Sequence, residues 1–150
     1  MAQYQTVMTA PELQAFLLQA FPAEAHARIG VVTDIGPGLA RMHLDPGAES
    51  LRPGDLVSGP TQMGLVDVAA YAVVLAHIGP QAMAVTSSLN IAFLRGARRA
   101  RVIAEARLLK LGRRLATIDV RLWQTDPDDP IAQATVTYAL PGALPGALPG

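Results

Sequence analysis

The longest stretch of the chain with almost no charge constrains its fold most. Between Asp55 and Arg95 the one formally charged residue at neutral pH is Asp67, in a segment rich in alanine, valine and leucine. Its length of roughly 18 residues, the early Pro60 and the stop at Gly79 favour one helix over two buried strands. A helix that is apolar nearly all round must be wrapped by other elements of the fold.

Asp67 is the exception within this apolar segment. A lone carboxylate is costly to bury unless it is paired or hydrogen-bonded. Desolvation is also one of the ways in which proteins tune catalytic carboxylates. Asp67 is therefore a candidate acid, base or nucleophile, and the alternative is a carboxylate held by backbone or hydroxyl groups at a subunit interface.

The composition indicates one globular domain. The 150 residues are 51% apolar and 16% charged, which is enough to build a core. Twelve basic and twelve acidic residues cancel, so no overall charge favours nucleic acid or a membrane as a partner. The absence of cysteine excludes disulfides and a cysteine nucleophile, and the three histidines lack metal-ligand spacing. We expect a cytoplasmic protein, because the N-terminus has no signal-peptide pattern.

The remaining elements follow from residue periodicity. Thr9 to Phe21 is predicted as an amphipathic helix with a capping box, followed by a hairpin and then a loop at 45–57. The predicted strands are 28–35, 39–44, 84–94, 99–110, 115–123 and 131–140. In the last four of them apolar and polar residues alternate. We expect an α+β domain over residues 1–139, in which an antiparallel sheet of about six strands curls around the apolar helix. The Leu-Pro-Gly-Ala repeat at 140–150 is expected to be a flexible tail that supplies no core.

Three motifs carry a resemblance to a known family. They are Leu65 to Ala72 on the apolar helix, Ser88 to Arg95 on the next strand, and Gly112 to Ala116 at a hairpin. Together with the order of elements over about residues 28–140, they resemble the hotdog fold and its acyl-CoA thioesterases of the phenylacetate-degradation (PaaI-like) type. The resemblance implies hydrolysis of an acyl thioester to a free acid and coenzyme A. It implies no metal or redox cofactor, and coenzyme A is part of the substrate. It also implies a homodimer or a dimer of dimers, and a homotetramer is the expected assembly.

The resemblance also implies roles for individual residues. Asp67 matches the carboxylate that attacks the thioester or activates water, in a site shared across a dimer interface. Gly59 matches the residue whose N–H polarises the thioester carbonyl, and free amides at a helix start do stabilise an oxyanion. Thr86 matches a hydroxyl residue that orients water. Ser88 and Asn90 are assigned to substrate binding, because strand alternation places them on the same face as Thr86.

The chain departs from the family just before the helix. Ser58-Gly59-Pro60 stands where the family usually has His-Gly-Gly, and Arg52 stands where it often has asparagine. Ser58, Pro60 and Arg52 are assigned to the substrate site by position. Pro60 has no N–H to donate, and Ser58 is expected to cap the helix, because no histidine is placed to activate it as a nucleophile.

Two other functions stay open beside hydrolysis. The departures at the helix start favour a non-catalytic acyl-CoA-binding protein as the main alternative. A hydratase of the same fold would use an Asp and His pair at a short spacing, which His77 does not supply for Asp67.

Arginines offer candidate contacts for the phosphates of coenzyme A, because guanidinium groups bind phosphate through two donors. Arg95, Arg113 and Arg114 are assigned this role. The alternative is a solvated strand edge and a turn.

Overall fold

The computed structural model describes residues 4–142. Within them the chain forms the helices α1 (Ala10–Ala20), α2 (His26–Ile29) and α3 (Gly59–Ile78), with short 3-10 turns at Ala23–Ala25 and Ala48–Ser50. The strands are β1 (Val31–Gly36), β2 (Leu39–Leu44), β3 (Leu51–Arg52), β4 (Leu56–Val57), β5 (Val85–Phe93), β6 (Val102–Leu111), β7 (Leu115–Trp123) and β8 (Ala132–Ala139).

Six of these strands form one antiparallel sheet, as the sequence predicts, and their order in the sheet is β1-β2-β6-β7-β8-β5. The strand β5, which directly follows α3, lies at one edge of this sheet. The strands β3 and β4 form a separate hairpin inside the segment predicted as a loop. Strands of two residues are too short to show alternation, so the sequence pattern could not reveal them.

The sheet packs around α3, and the predicted hotdog architecture is confirmed. The helix contacts β2 and each strand from β5 to β8. Alanines on both surfaces, such as Ala69 on α3 and Ala104 on β6, are fully buried and allow a close approach. The helix is long and apolar enough to cross a membrane by length and composition, but 67% of its most apolar window is buried inside the fold, as in a core helix.

The first strand begins later than predicted. The predicted strand began at Arg28, but Arg28 and Ile29 belong to the short helix α2 (His26–Ile29). The chain then turns at Gly30, which has φ of +80° and would place a Cβ 2.6 Å from the carbonyl oxygen of His43. A side chain at this position would therefore be strained and would clash with β2. The strand β6 likewise begins at Val102 rather than at Arg99.

The structure confirms the prediction at the N-terminal end of the described chain and corrects it at the C-terminal end. The capping box of α1 is present, with Thr9 Oγ1 accepting from the N–H of Glu12 at 3.3 Å. At the other end Leu140, assigned to a tail without core contacts, is 5% exposed and donates its N–H to Arg114 O at 2.9 Å. Leu140 therefore belongs to the core, which corrects that expectation. Residues 143–150 of the repeat lie outside the described residues.

Candidate active site

Ser58 caps the start of α3, as predicted. Its Oγ accepts a hydrogen bond from the N–H of Thr61 at 3.2 Å and donates to Thr61 Oγ1 at 2.8 Å. The Thr61 hydroxyl in turn donates to the carbonyl of Ser50 at 3.2 Å. The Ser58 hydroxyl is therefore engaged in a chain of local hydrogen bonds, which explains its presence without a nucleophilic role.

One free amide remains at the first turn of α3. The N–H of Thr61 is bound by Ser58, Pro60 has no N–H, and the N–H of Gln62 donates to the carbonyl of Ser58 at 3.1 Å. Within residues 4–142 the N–H of Gly59 has no acceptor. Gly59 thus supplies the single uncommitted donor at a helix end that carries partial positive charge.

Asp67 is held through one of its two carboxylate oxygens. Its Oδ1 accepts a hydrogen bond from Thr86 Oγ1 at 2.6 Å and another from the Tyr138 hydroxyl at 2.8 Å. No residue in the described range donates to Oδ2. The carboxylate is therefore fixed by two hydroxyl groups on neighbouring strands, while its second oxygen is left for water or a substrate.

The sequence analysis did not identify Tyr138 as a site residue. Tyr138 shares the inward face of β8 with Ala134 and Val136, and its side chain is buried. Burial, and then the nearby Asp67 carboxylate, raises the pKa of Tyr138 well above its ordinary value of 10.0, so the hydroxyl stays protonated and donates. The signal for it was available, because a buried tyrosine hydroxyl requires a hydrogen-bond partner.

A cavity of about 510 Å³ opens beside Asp67. This volume is typical of a small-molecule site. One wall is aromatic, with the Phe21 and Tyr71 rings 6.2 Å apart and the Tyr71 and Tyr138 rings 5.9 Å apart between centroids. The lining residues are Phe21, Ala25, Arg28, Ile29, Pro60, Thr61, Gly64, Asp67, Val68, Tyr71, Ala82, Ala84, Val85, Thr86 and Tyr138. Of the predicted site residues, Asp67, Thr86 and Pro60 are thus brought together.

A β-bulge separates Thr86 from the other polar residues of β5. Thr86 pairs with Tyr138, but the register then shifts by one residue, so that Ser88 pairs with Thr137 and Asn90 with Thr135. Thr86 consequently faces inward with Tyr138, whereas Ser88 and Asn90 face outward. The expectation that these three side chains share one face is wrong, because one extra residue in a strand reverses its alternation. Within this chain Ser88 and Asn90 lie away from the cavity.

The assigned arginines do not form one cluster. Arg113 and Arg114 occupy the turn before β7, whereas Arg95 follows the end of β5. In the sheet Phe93 of β5 pairs with Ala132, and Ala132 pairs with Leu122, so Arg95 lies near the far end of β7. The nine-residue strand β7 separates the two ends by about 30 Å. A single coenzyme A phosphate group therefore cannot contact all three arginines of one chain.

Arg52 and Arg95 are also occupied by contacts within the chain. Arg52 Nε donates to the carbonyl of Pro53 at 3.4 Å, and Arg95 Nε lies 3.5 Å from Asp129 Oδ2. Both side chains are exposed, and neither residue lines the cavity.

His77 has a structural role. Its Nε2 accepts the N–H of Gly38 at 2.9 Å, and its Nδ1 lies 2.7 Å from the carbonyl of Val73, to which it donates. The ring is therefore committed to joining the end of α3 to the turn between β1 and β2. This placement weakens the hydratase hypothesis, which needs a histidine beside Asp67. Among residues 4–142 no group of three or more potential ligands is placed to hold a metal ion.

Comparison with known proteins agrees with the fold. The pattern of the thioesterase superfamily matches residues 54–131, which include α3 and Asp67. A candidate thioesterase from Silicibacter sp. has a crystal structure with 37% sequence identity and a TM-score of 0.83, and the match covers 92% of this chain and 95% of that chain. No curated protein matches the chain.

Two further solved structures carry the phenylacetic acid degradation name. A mutant of the PaaI protein from Thermus thermophilus is 25% identical with a TM-score of 0.69, over 79% of this chain and 99% of that chain. The PaaI protein from E. coli is 17% identical with a TM-score of 0.71, over 95% and 100% of the two chains, and this likeness shows the fold alone. Because the family pattern spans more than half of the sequence and the 37% identical relative matches over nearly its whole length, this chain belongs to the thioesterase superfamily.

Proposed function

We propose that this protein is an acyl-CoA thioesterase in which Asp67 is the catalytic carboxylate. One observation carries the proposal: Asp67 Oδ1 is fixed by Thr86 and Tyr138, while Oδ2 is unbound beside a cavity with largely apolar walls. A carboxylate oriented in this way suits general-base or nucleophilic catalysis on a thioester. The reaction would yield a free acid and coenzyme A.

Two routes are consistent with this geometry. In the first, Asp67 Oδ2 takes a proton from water as the water oxygen attacks the thioester carbon. The C–S bond then breaks, and the leaving thiolate takes up a proton. In the second, Oδ2 itself attacks the carbonyl carbon and expels the thiolate, and water hydrolyses the resulting mixed anhydride to the free acid and the restored carboxylate. Neither route requires a metal or a redox cofactor.

The oxyanion donor must come from a second subunit if Gly59 fills that role. Gly59 and Asp67 are eight residues apart on one helix, which separates them by about 12 Å along its axis. A thioester carbonyl attacked at Asp67 cannot reach a donor at that distance, since oxyanion donors act at roughly 3 Å. We therefore propose a site in which Asp67 of one subunit faces the start of α3 of another.

The open edge of the sheet supports such an assembly. The strand β5 pairs only with β8 among the described residues, and Val85, Phe93 and Leu94 are exposed along or just beyond it. An unpaired edge with apolar side chains is a ready surface for a second copy. We propose a homodimer closed at β5 that assembles further into a homotetramer, acting in the cytoplasm.

Thiol release from a panel of short, medium and aromatic acyl-CoAs tests the proposal. Wild type is expected to turn over members of the panel, and Asp67→Asn to lose at least about 100-fold in kcat, the scale of removing a general base. Asp34→Asn is the matched control, because Asp34 is exposed on β1 and makes no contact with the cavity. Equal activity of wild type and Asp67→Asn would remove Asp67 from the mechanism.

A non-catalytic acyl-CoA-binding protein is the second candidate. The observation that favours it is the single free donor at the start of α3, since Pro60 has no N–H and Ser58 binds that of Thr61. Calorimetric binding of the same acyl-CoAs, with no thiol release across the whole panel, would establish this function in place of hydrolysis.

A further inference from the structure

The cavity beside Asp67 is lined by one cationic residue, Arg28, which is exposed. The other charged lining residue is Asp67 itself, and most of the remaining walls are aliphatic or aromatic. Arg28 forms no ion pair or side-chain hydrogen bond with the described residues, 4–142. An exposed guanidinium group that borders a mostly apolar cavity, with no partner among the described residues, is available to bind an anion.

Arg28 lies near the level of Asp67 along α3. At one end of its segment the Phe21 ring packs 6.2 Å from that of Tyr71. At the other end the Cβ position of Gly30 lies 3.5 Å from Leu65 Cδ1. The segment thus runs antiparallel to α3 along the interval from Tyr71 to Leu65, which spans about 9 Å and includes Asp67.

Gly64 leaves open space in the cavity wall near Asp67. It lies three residues before Asp67, on the same face of α3, and it lines the cavity. A Cβ at Gly64 would meet no atom within 4 Å, so packing does not demand glycine there. Glycine inside a helix costs about 1 kcal/mol relative to alanine, and the space that it leaves opens into the cavity.

We propose that Arg28 binds a carboxylate carried by the acyl group, so that the preferred substrates are monothioesters of short dicarboxylic acids. This inference rests on the proposed thioesterase function and names its substrate class. The guanidinium would offset the repulsion between Asp67 and a second carboxylate in the same cavity. The aliphatic walls would contact the methylene groups between the two ends of the acyl chain.

The position of Arg28 favours the acyl carboxylate over a coenzyme A phosphate. In coenzyme A the whole extended pantetheine arm separates the thioester sulfur from the nearest phosphate. The segment that carries Arg28 packs against the same short interval of α3 as Asp67. Arg28 therefore lies nearer to the acyl group of the thioester than to the phosphates of coenzyme A. N-acetylcysteamine thioesters, which lack phosphate, distinguish the two anions.

The test compares succinyl and glutaryl thioesters with butyryl and pentanoyl thioesters of matched length, each on coenzyme A and on N-acetylcysteamine. Arg28→Gln is expected to lower kcat/KM for the dicarboxylic substrates by about tenfold or more on both carriers, the scale of a charged hydrogen bond. Turnover of the uncharged acyl groups should change by less than about threefold, and Arg28→Lys should recover part of the loss. Arg121→Gln, an exposed arginine on the outer face of β7, is the control.

Three outcomes would overturn the inference. A loss confined to coenzyme A thioesters of every acyl type would place a phosphate at Arg28. An equal loss for all acyl groups on both carriers would mean that Arg28 acts on Asp67 instead. An unchanged dicarboxylic preference in Arg28→Gln would exclude Arg28 from acyl recognition.

Binding separates this inference from the proposed function. Calorimetry on Asp67→Asn measures the affinity for glutaryl-CoA and pentanoyl-CoA without depending on turnover. Arg28→Gln in that background should weaken glutaryl-CoA binding selectively, by about tenfold. If wild type hydrolyses nothing, the proposed function fails, whereas the absence of this selective effect on binding would overturn the inference about Arg28 whether or not the protein is a hydrolase.

Discussion

The Tyr138 hydroxyl lies 2.8 Å from Asp67 Oδ1 and 3.1 Å from the backbone carbonyl of the same residue, although the two residues are 71 positions apart in the chain. A hydroxyl has one proton, so Tyr138 donates to one of these oxygens at a time. Both contacts place Tyr138 against Asp67, and Thr86 completes the arrangement from the neighbouring strand. The free Oδ2 atom is thereby oriented by residues from two strands, β5 and β8.

Removal of the Tyr138 hydroxyl should weaken catalysis without unfolding the protein. In Tyr138→Phe the ring still packs against Tyr71, but Asp67 loses one donor to its charged form. We expect kcat to fall by about tenfold with little change in KM, since the hydroxyl orients the carboxylate rather than the substrate. Tyr4→Phe removes a phenol that does not line the cavity, and it serves as the control. An unchanged kcat with a higher KM would contradict this role of Tyr138.

Thr86 offers a graded test of the second donor. Thr86→Ser keeps a hydroxyl within reach of Asp67 Oδ1, whereas Thr86→Val keeps the shape and removes the donor. We expect Thr86→Ser to retain most of the activity and Thr86→Val to lose about tenfold or more in kcat/KM. Steady-state thiol release on the same acyl-CoA measures both, and equal activity of the two variants would contradict a role for this hydroxyl.

A proline substitution at Gly59 removes the backbone N–H with little other change to the helix. Gly59→Pro deletes the donor at the first helical position, where proline is well tolerated and where the extended Ser58 before it is compatible. We expect a loss of about 100-fold in kcat, the scale of one oxyanion donor. Gly59→Ala adds a Cβ 3.4 Å from Phe93 Cζ but keeps the N–H, so it controls for bulk. Activity of Gly59→Pro equal to that of Gly59→Ala would exclude this amide from the site.

Hybrid oligomers test whether the site is shared between subunits. If Asp67 and Gly59 act from different chains, a dimer of one Asp67→Asn chain and one Gly59→Pro chain contains one intact site of two. Such hybrids, co-expressed with two affinity tags and purified through both, should regain about half of the wild-type activity. A site built within one chain would leave every hybrid site defective, and no activity would return.

Glu105 on the outer face of the sheet should make folding stability dependent on acid pH. Burial raises the pKa of Glu105, but hydrogen bonds from Arg41 at 2.6 Å and from Arg107 at 2.8 Å outweigh it and hold the pKa below its ordinary value of 4.5. Because the folded state binds this proton less tightly than the unfolded chain, the stabilisation is present above that value. It is lost as the pH falls through the lower, folded-state pKa.

Urea unfolding of wild type and Glu105→Gln at several pH values checks this expectation. The wild type should be more stable near neutral pH by up to about 1 kcal/mol, since the arginine partners are partly exposed and solvent screens the pairs. The difference should shrink as the pH falls below about 4.5. A difference that stays constant with pH would show that the carboxylate charge contributes nothing to stability.

The long helix and its carboxylate were predictable because their signals are local. A segment that is apolar on every side must be removed from water, which within a folded domain places it at the centre, and Asp67 is conspicuous within it for the same energetic reason. The alternating strands similarly predicted the inner faces of β6, β7 and β8, since burial on one face imposes a period of two. Ser58 was recognisable as a cap from its position before Pro60.

The partners of Asp67 depend on pairings that no local pattern contains. The bulge at Ser87 arises from the register between β5 and β8, and it turns Thr86 toward Asp67 while Ser88 and Asn90 face outward. Periodicity assumes an unbroken strand, so it assigned all three to one face. Tyr138 looked like one more apolar residue until β8 was placed against α3. Amino-acid order therefore identified Asp67 as the candidate catalytic carboxylate, whereas the register of the folded sheet determined which hydroxyl groups bind it.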